Sequence, residues 1–128
     1  MKNLLKVLAW MLLGVLVIGF SMVFYLSKDL NSTTKLTLEP IDLSVLADGV
    51  YQGTFEHGRF SNQVKVTVQN QKIVAIEFTK MVDFDWPEVR EALIREVLAK
   101  QNVDIDTISE ATATSKAYLK SIEDALRP

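Results

Sequence analysis

No cysteine occurs in the 128 residues, and histidine appears once, as His57. The missing thiols exclude disulfides, thiolate metal sites, iron–sulfur clusters and acylation at cysteine together. A lone histidine is a poor start for a metal site, and His57-Gly58-Arg59 reads as a turn. The pairs Asp83/Asp85 and Asp104/Asp106 lack the glycine and glutamate of a calcium loop and are better read as helix caps or solvated acids. Excess positive charge is also missing: Lys and Arg number 14 against 16 Asp and Glu, for a formal net charge of −2. Lys2 and Lys6 are the charges of residues 1–27, so the remainder carries −4. An acidic remainder without basic clusters argues against nucleic acid as a partner and offers no polybasic patch to anionic lipid. Ser109 and Thr112 have no base, orienting acid and oxyanion hole at readable spacing, which excludes a hydrolase reading.

Charge is absent altogether from Val7 to Leu26, a run of 20 residues. That is about the length a helix needs to cross the hydrocarbon of a bilayer. Trp10 and Tyr25 lie near its two ends, where amphipathic rings favour the headgroup region. Lys2 and Lys6 precede the run and Lys28 is offset by Asp29, so the positive-inside rule puts the N-terminus in the cytoplasm and the rest outside. A cleaved signal peptide is the rival reading. It requires a shorter apolar core and a small-residue cleavage site, which Tyr25-Leu26-Ser27-Lys28-Asp29 does not supply. A span with no internal acid or base moves no ions itself, so it acts as a tether. The expected organisation is an anchor over 1–28, a polar linker over 29–47 and a domain over 48–128. Within the linker, Leu36 to Leu46 has the mixed pattern of a short strand followed by a helical turn.

Three alternating stretches predict half-buried antiparallel strands. Val50 to Phe55 sets Tyr51, Gly53 and Phe55 on one face; Val64, Val66 and Val68 alternate with polar residues; Val74, Ile76 and Phe78 alternate with Ala75, Glu77 and Thr79. Gln69-Asn70-Gln71 is short enough for a hairpin, with Asn70 suited to positive φ. Asp85 is placed to cap a helix starting near Pro87, whose apolar stripe is Val89, Leu93, Ile94, Val97 and Leu98. The aromatic pair Phe84 and Trp86 reads as core or staple, with stacking on a cofactor ring as the sharper alternative. The helix ends near Gln101-Asn102, a brief extended piece follows, and a last helix begins around Lys116 with Tyr118, Ile122, Ala125 and Leu126 at helical spacing. The expected fold class is α+β: one N-terminal transmembrane helix, then a small antiparallel sheet with two amphipathic helices packed on it.

The chemistry concentrates just before that last helix. Ser109, Thr112, Thr114 and Ser115 put 4 hydroxyls into 7 residues. Hydroxyls cap the free N–H groups of a first helical turn, and those N–H groups with the helix dipole also suit a phosphate. Either Thr114 or Ser115 is simply an N-cap, or the stretch holds an anion.

The stretch Asp106-Thr107-Ile108-Ser109-Glu110-Ala111-Thr112-Ala113-Thr114-Ser115 resembles the signature of the FMN-binding domain family, found in membrane subunits of the sodium-pumping NADH:quinone oxidoreductase and its Rnf relatives. The family pattern is Asp-x-x-Ser/Thr-Gly-Ala-Thr/Ser, often followed by x-Thr-Ser. The likeness extends to Asp48-Gly49-Val50-Tyr51-Gln52-Gly53, to Gln101 and to Ser121-Ile122-Glu123-Asp124-Ala125-Leu126, most of the chain beyond residue 47. It implies FMN as cofactor, esterified through its phosphate to Thr112 by a separate flavin transferase. Ala111 matches the motif; Ser109, Thr114 and Ser115 would donate hydrogen bonds near the phosphate; Asp106 would order the loop or serve recognition by the transferase. The implied role is an extracytoplasmic electron carrier with donor and acceptor proteins in a membrane redox chain. Glu110 stands where the family usually has glycine, and its charge repels a phosphate unless it turns to solvent. The alternative is a membrane-tethered interaction or assembly module that keeps the fold without the cofactor.

Overall fold

The apolar N-terminal run forms one continuous helix, α1 (Lys2–Ser27), of 26 residues. At 1.5 Å per residue it is about 39 Å long, more than the roughly 30 Å of a bilayer's hydrocarbon. None of its residues is buried against the rest of the chain, and it is long and apolar enough to cross a membrane. The computed structural model describes residues 1–28, 30–105 and 111–127.

A short helix α2 (Leu30–Thr34) follows, then strands β1 (Gly49–Phe55), β2 (Asn62–Gln69) and β3 (Lys72–Lys80), and helices α3 (Pro87–Lys100) and α4 (Thr112–Leu126). The strands form an antiparallel sheet in the order β1-β2-β3. The α+β architecture is therefore as expected, with α4 lying across β1 and β2 and α3 beside β3.

One face of the sheet is buried. Val64, Val66 and Val68 of β2 are fully enclosed, while Lys65 and Gln69 point to water. Asn70 and Gln71 both take positive φ, 51° and 62°, making the tight hairpin between β2 and β3. On β3 the expected alternation fails at one end: Ile73 is buried and Val74 is exposed. The register explains it. Thr67 pairs with Ala75 but Val68 pairs with Ile73, so Val74 is the extra residue of a bulge, and the bulge turns Ile73 inward.

The helices contribute the rest of the core. Leu93 and Val97 of α3 are buried, with Ile94 and Leu98 partly so, matching the expected stripe. Gln101 ends α3 in the left-handed region, φ 58°, and its side-chain amide exchanges hydrogen bonds with Ile73, accepting from N at 2.6 Å and donating to O at 3.0 Å. Tyr118, Leu119, Ile122 and Leu126 of α4 are fully buried. Residues 30–46, expected as a linker, run along this domain: Thr33 is buried, Leu38 and Ile41 pack on the core, and Leu46 belongs to it. The helical turn expected there is present at Leu43–Val45, whereas no strand forms between Leu36 and Leu46.

Two local expectations are corrected. Trp86, not Asp85, is the N-cap of α3, and no side chain caps that end. Asp85 instead pairs with Arg90 and accepts the Tyr118 hydroxyl, so its carboxylate is held between two helices. Phe84 and Trp86 are not core residues; both are exposed.

Helix α4 packs directly on the backbone of β1 at Gly53. A Cβ placed on Gly53 would lie 1.9 Å from the Ser121 carbonyl and 2.7 Å from Ala125 Cβ. Next to it, Thr54 N donates to Asp124 Oδ2 at 2.9 Å. Glycine is required because α4 backbone occupies the space of a side chain. Gly53→Ala is expected to lower stability by about 3 kcal/mol through forced separation of helix and strand, read as a lower urea midpoint for the same protein in detergent.

Tyr118 gives a pH signature. Burial raises its pKa above the ordinary 10.0, opposed by the Val82 N–H and the Arg90 charge. A raised folded-state value means the stability contribution is complete below pH 10 and is lost as pH climbs beyond it. Alkaline unfolding is therefore expected to be less steep in Tyr118→Phe, which at neutral pH loses about 1–2 kcal/mol with its hydrogen bond to Asp85; urea titrations at several pH values check both.

Candidate functional site

Helix α4 begins at Thr112, four residues earlier than the pattern indicated. Thr114 and Ser115 are consequently inside the first turn and neither is the N-cap. That position is Ala111, which offers no capping side chain, and the first internal bond is from Ser115 N to Ala111 O at 2.9 Å. The N–H groups of Thr112, Ala113 and Thr114 thus have no partner within the helix, and they gather at the positive end of its dipole.

That end opens on a cleft of about 390 Å³. Ala111, Thr112, Ala113 and Thr114 form one wall; Leu30 and Thr34 of α2 and Arg59 and Phe60 of the turn before β2 complete it. Arg59 is held in place rather than waving from the surface. Its Nε and Nη2 donate to the Leu26 carbonyl at 3.1 and 2.7 Å, and its guanidinium sits 4.3 Å from the centre of the Phe60 ring. Its remaining nitrogen, Nη1, makes no hydrogen bond among the described residues. Lys116 Nζ donates to the Thr34 carbonyl at 2.6 Å and fixes α2 against α4.

A fixed guanidinium, a helix N-terminus and two hydroxyls around one opening suit a phosphate group, because each supplies a donor or positive charge in a partly dry setting. A second cleft, of about 200 Å³, is lined by Glu39, Asp42 and Glu123 along with Arg127. Its carboxylates make it a poor place for an anion.

The expected site residues separate into three groups. Ala111, Thr112 and Thr114 line the phosphate-suited cleft. Ser115 is fully buried and is not among the residues that line it. Asp106 and Ser109, with the variant Glu110, lie outside the described residues. Arg59, Phe60, Leu30 and Thr34 were not anticipated. They are distant in sequence from the motif, and Arg59 had only a turn to mark it, so no spacing could link them.

A small α+β domain with a phosphate-suited cleft at a helix N-terminus, carried behind an apolar helix, defines a class of nucleotide-phosphate-binding modules. Within that class, residues 61–127 match the FMN-binding domain family, and the chain belongs to that family. Its cofactor is FMN. The chain is also 26% identical over 99 residues to an uncharacterized protein of Treponema pallidum (strain Nichols). That similarity covers 74% of this chain but 27% of the relative, so the chain spans about a quarter of the relative's length. No solved structure matches the chain.

The residues present fit the phosphate end of FMN, and Arg59 supplies the charge. Arg59→Gln is expected to weaken non-covalent FMN binding about tenfold, ~1.4 kcal/mol, while leaving riboflavin, which lacks the phosphate, unchanged. Fluorescence titration of the full chain with each ligand distinguishes them.

Proposed function

We propose that the chain is a membrane-anchored, extracytoplasmic electron carrier whose FMN is attached through its phosphate to Thr112. The observation that carries the reading is the meeting of Thr112, the open end of α4 and the Arg59 guanidinium at one cleft. Thr112 is partly exposed on the cleft wall, so its Oγ1 is within reach of a second protein such as a flavin transferase. Arg59 and the N–H groups of the first turn would hold the phosphate oxygens, and the Thr114 hydroxyl would add a donor. Phe60 and Ala111 supply an apolar lining that keeps water from the ester. Asp106 and Ser109 belong to the motif and would act on the loop that leads into the helix.

When bound, FMN accepts and donates electrons at its isoalloxazine ring; the protein sets position and access. Residues 1–28 are the anchor in this reading, 29–47 the connection and 48–128 the domain. Lys2 and Lys6 before the apolar run favour an N-terminus in the cytoplasm and a domain outside. A covalent tie suits that side of the membrane, where a dissociated cofactor is lost by dilution. Donor and acceptor proteins would meet the domain at the membrane surface.

The test is expression with a flavin transferase, denaturing electrophoresis and in-gel fluorescence. The full chain is expected to give a fluorescent band and a mass increase on the peptide containing Thr112; Thr112→Ala is expected to lose both while keeping the urea midpoint of the parent. A dark band from the parent chain at its bare polypeptide mass removes the covalent reading.

A further inference from the structure

The loop between β3 and α3 carries an exposed apolar group that neither the core nor the cleft uses. Met81, Phe84 and Trp86 are 41%, 69% and 55% exposed. The residues between them are tied down. Val82 is buried and its N–H donates to the Tyr118 hydroxyl at 3.3 Å; Asp83 N donates to the Arg59 carbonyl at 2.9 Å; Asp85 pairs with Arg90. Phe84 sits at φ 58°, a conformation that is unusual for a bulky side chain and persists where the surroundings impose it. The loop is thus a built feature that alternates anchored residues with exposed apolar ones.

Its location identifies what lies next to it. Tyr25, two residues before the end of α1, donates its hydroxyl to Asp83 Oδ2 at 3.2 Å, and Arg59 holds the Leu26 carbonyl. The last turn of a helix that crosses a bilayer lies at headgroup level, and tyrosine and tryptophan favour that level. Asp83 is therefore at the membrane boundary and Phe84 is its sequence neighbour. Lys80, next to Met81 in sequence, and Lys28, just past the end of α1, are both exposed and carry ammonium groups that suit lipid phosphates.

We propose that Met81, Phe84 and Trp86 insert into the headgroup region of the leaflet in which α1 ends, so that the domain rests on the bilayer by two contacts instead of hanging from one. This rests on α1 being a membrane anchor. The occupant is the lipid interface itself, because the loop is continuous with the end of α1. With a net −4 beyond residue 27 the domain gains nothing from an anionic surface, so zwitterionic lipid suffices.

The chain has two tryptophans, so Trp10→Phe leaves Trp86 as the single reporter. The full-length variant is reconstituted in phosphatidylcholine vesicles, with and without lipid brominated near the glycerol end of its acyl chains. Trp86 emission is expected to be blue-shifted relative to the urea-unfolded chain, quenched by the brominated lipid and shielded from acrylamide. Full acrylamide access without lipid quenching, in protein that stays with the vesicles through alkaline carbonate extraction, overturns the loop proposal and leaves the anchor standing. Shielding without lipid quenching that grows with the protein-to-lipid ratio assigns the patch to another copy of the chain and also overturns it. Release from the vesicles overturns the anchor and the loop together.

Discussion

The seating of α4 on Gly53 governs the rest of the domain. Where a side chain would be, β1 carries the backbone of Ser121 and Ala125. So short a separation brings α4 into contact with two strands along its length, and its buried stripe becomes the largest single contribution to a small core. It also fixes where the other end of the helix falls. Because α4 is rigid, the contact at Ser121 and Ala125 determines the location of Thr112, three turns away, against the Arg59–Phe60 turn. The cleft is a consequence of packing at the far end of the helix that forms its wall.

The same economy shows in how polar groups are used. Asp85, Gln101 and Asp124 each take a position that a loop of this size would leave to water, and each links two elements. Gln101 imitates a strand neighbour for Ile73; Asp124 satisfies a backbone donor on the open edge of β1; Asp85 joins α3 to α4 through Tyr118. Side-chain hydrogen bonds of this kind add modest net stability, so they fix the relative placement of elements more than they strengthen them. The phosphate-suited cleft inherits its definition from those fixed placements.

Much of this was legible from pattern. Period-two alternation located β1 and β2, and a helical stripe located α3 and α4, because burial on one face writes the same periodicity into any sequence. The failures have physical causes. The Val74 bulge breaks alternation without any glycine or proline to announce it. Asp85 has the residue type and position of a cap, but a pairing with Arg90 and a hydroxyl from a distant helix compete for the carboxylate. The start of α4 was set too late because Thr112-Ala113-Thr114 has weak helix propensity, and tertiary contacts of Ala113 override it. At the cleft, Thr112, Ala111 and Thr114 follow from the motif. Arg59, Phe60 and α2 do not, since their meeting depends on how far α4 slides along β1, and no local pattern encodes that distance. Asp106 and Ser109 fall outside the described residues.

Arg59 touches two regions: its guanidinium holds the Leu26 carbonyl near the end of α1, and the same residue lines the domain's cleft. A joint of this kind has little slack, unlike a flexible stalk that lets a headgroup swing through a wide arc. On the proposed reading as an anchored electron carrier, encounters with other proteins would then be governed by lateral diffusion in two dimensions, and only surfaces presented at the matching height above the lipid could come within tunnelling range.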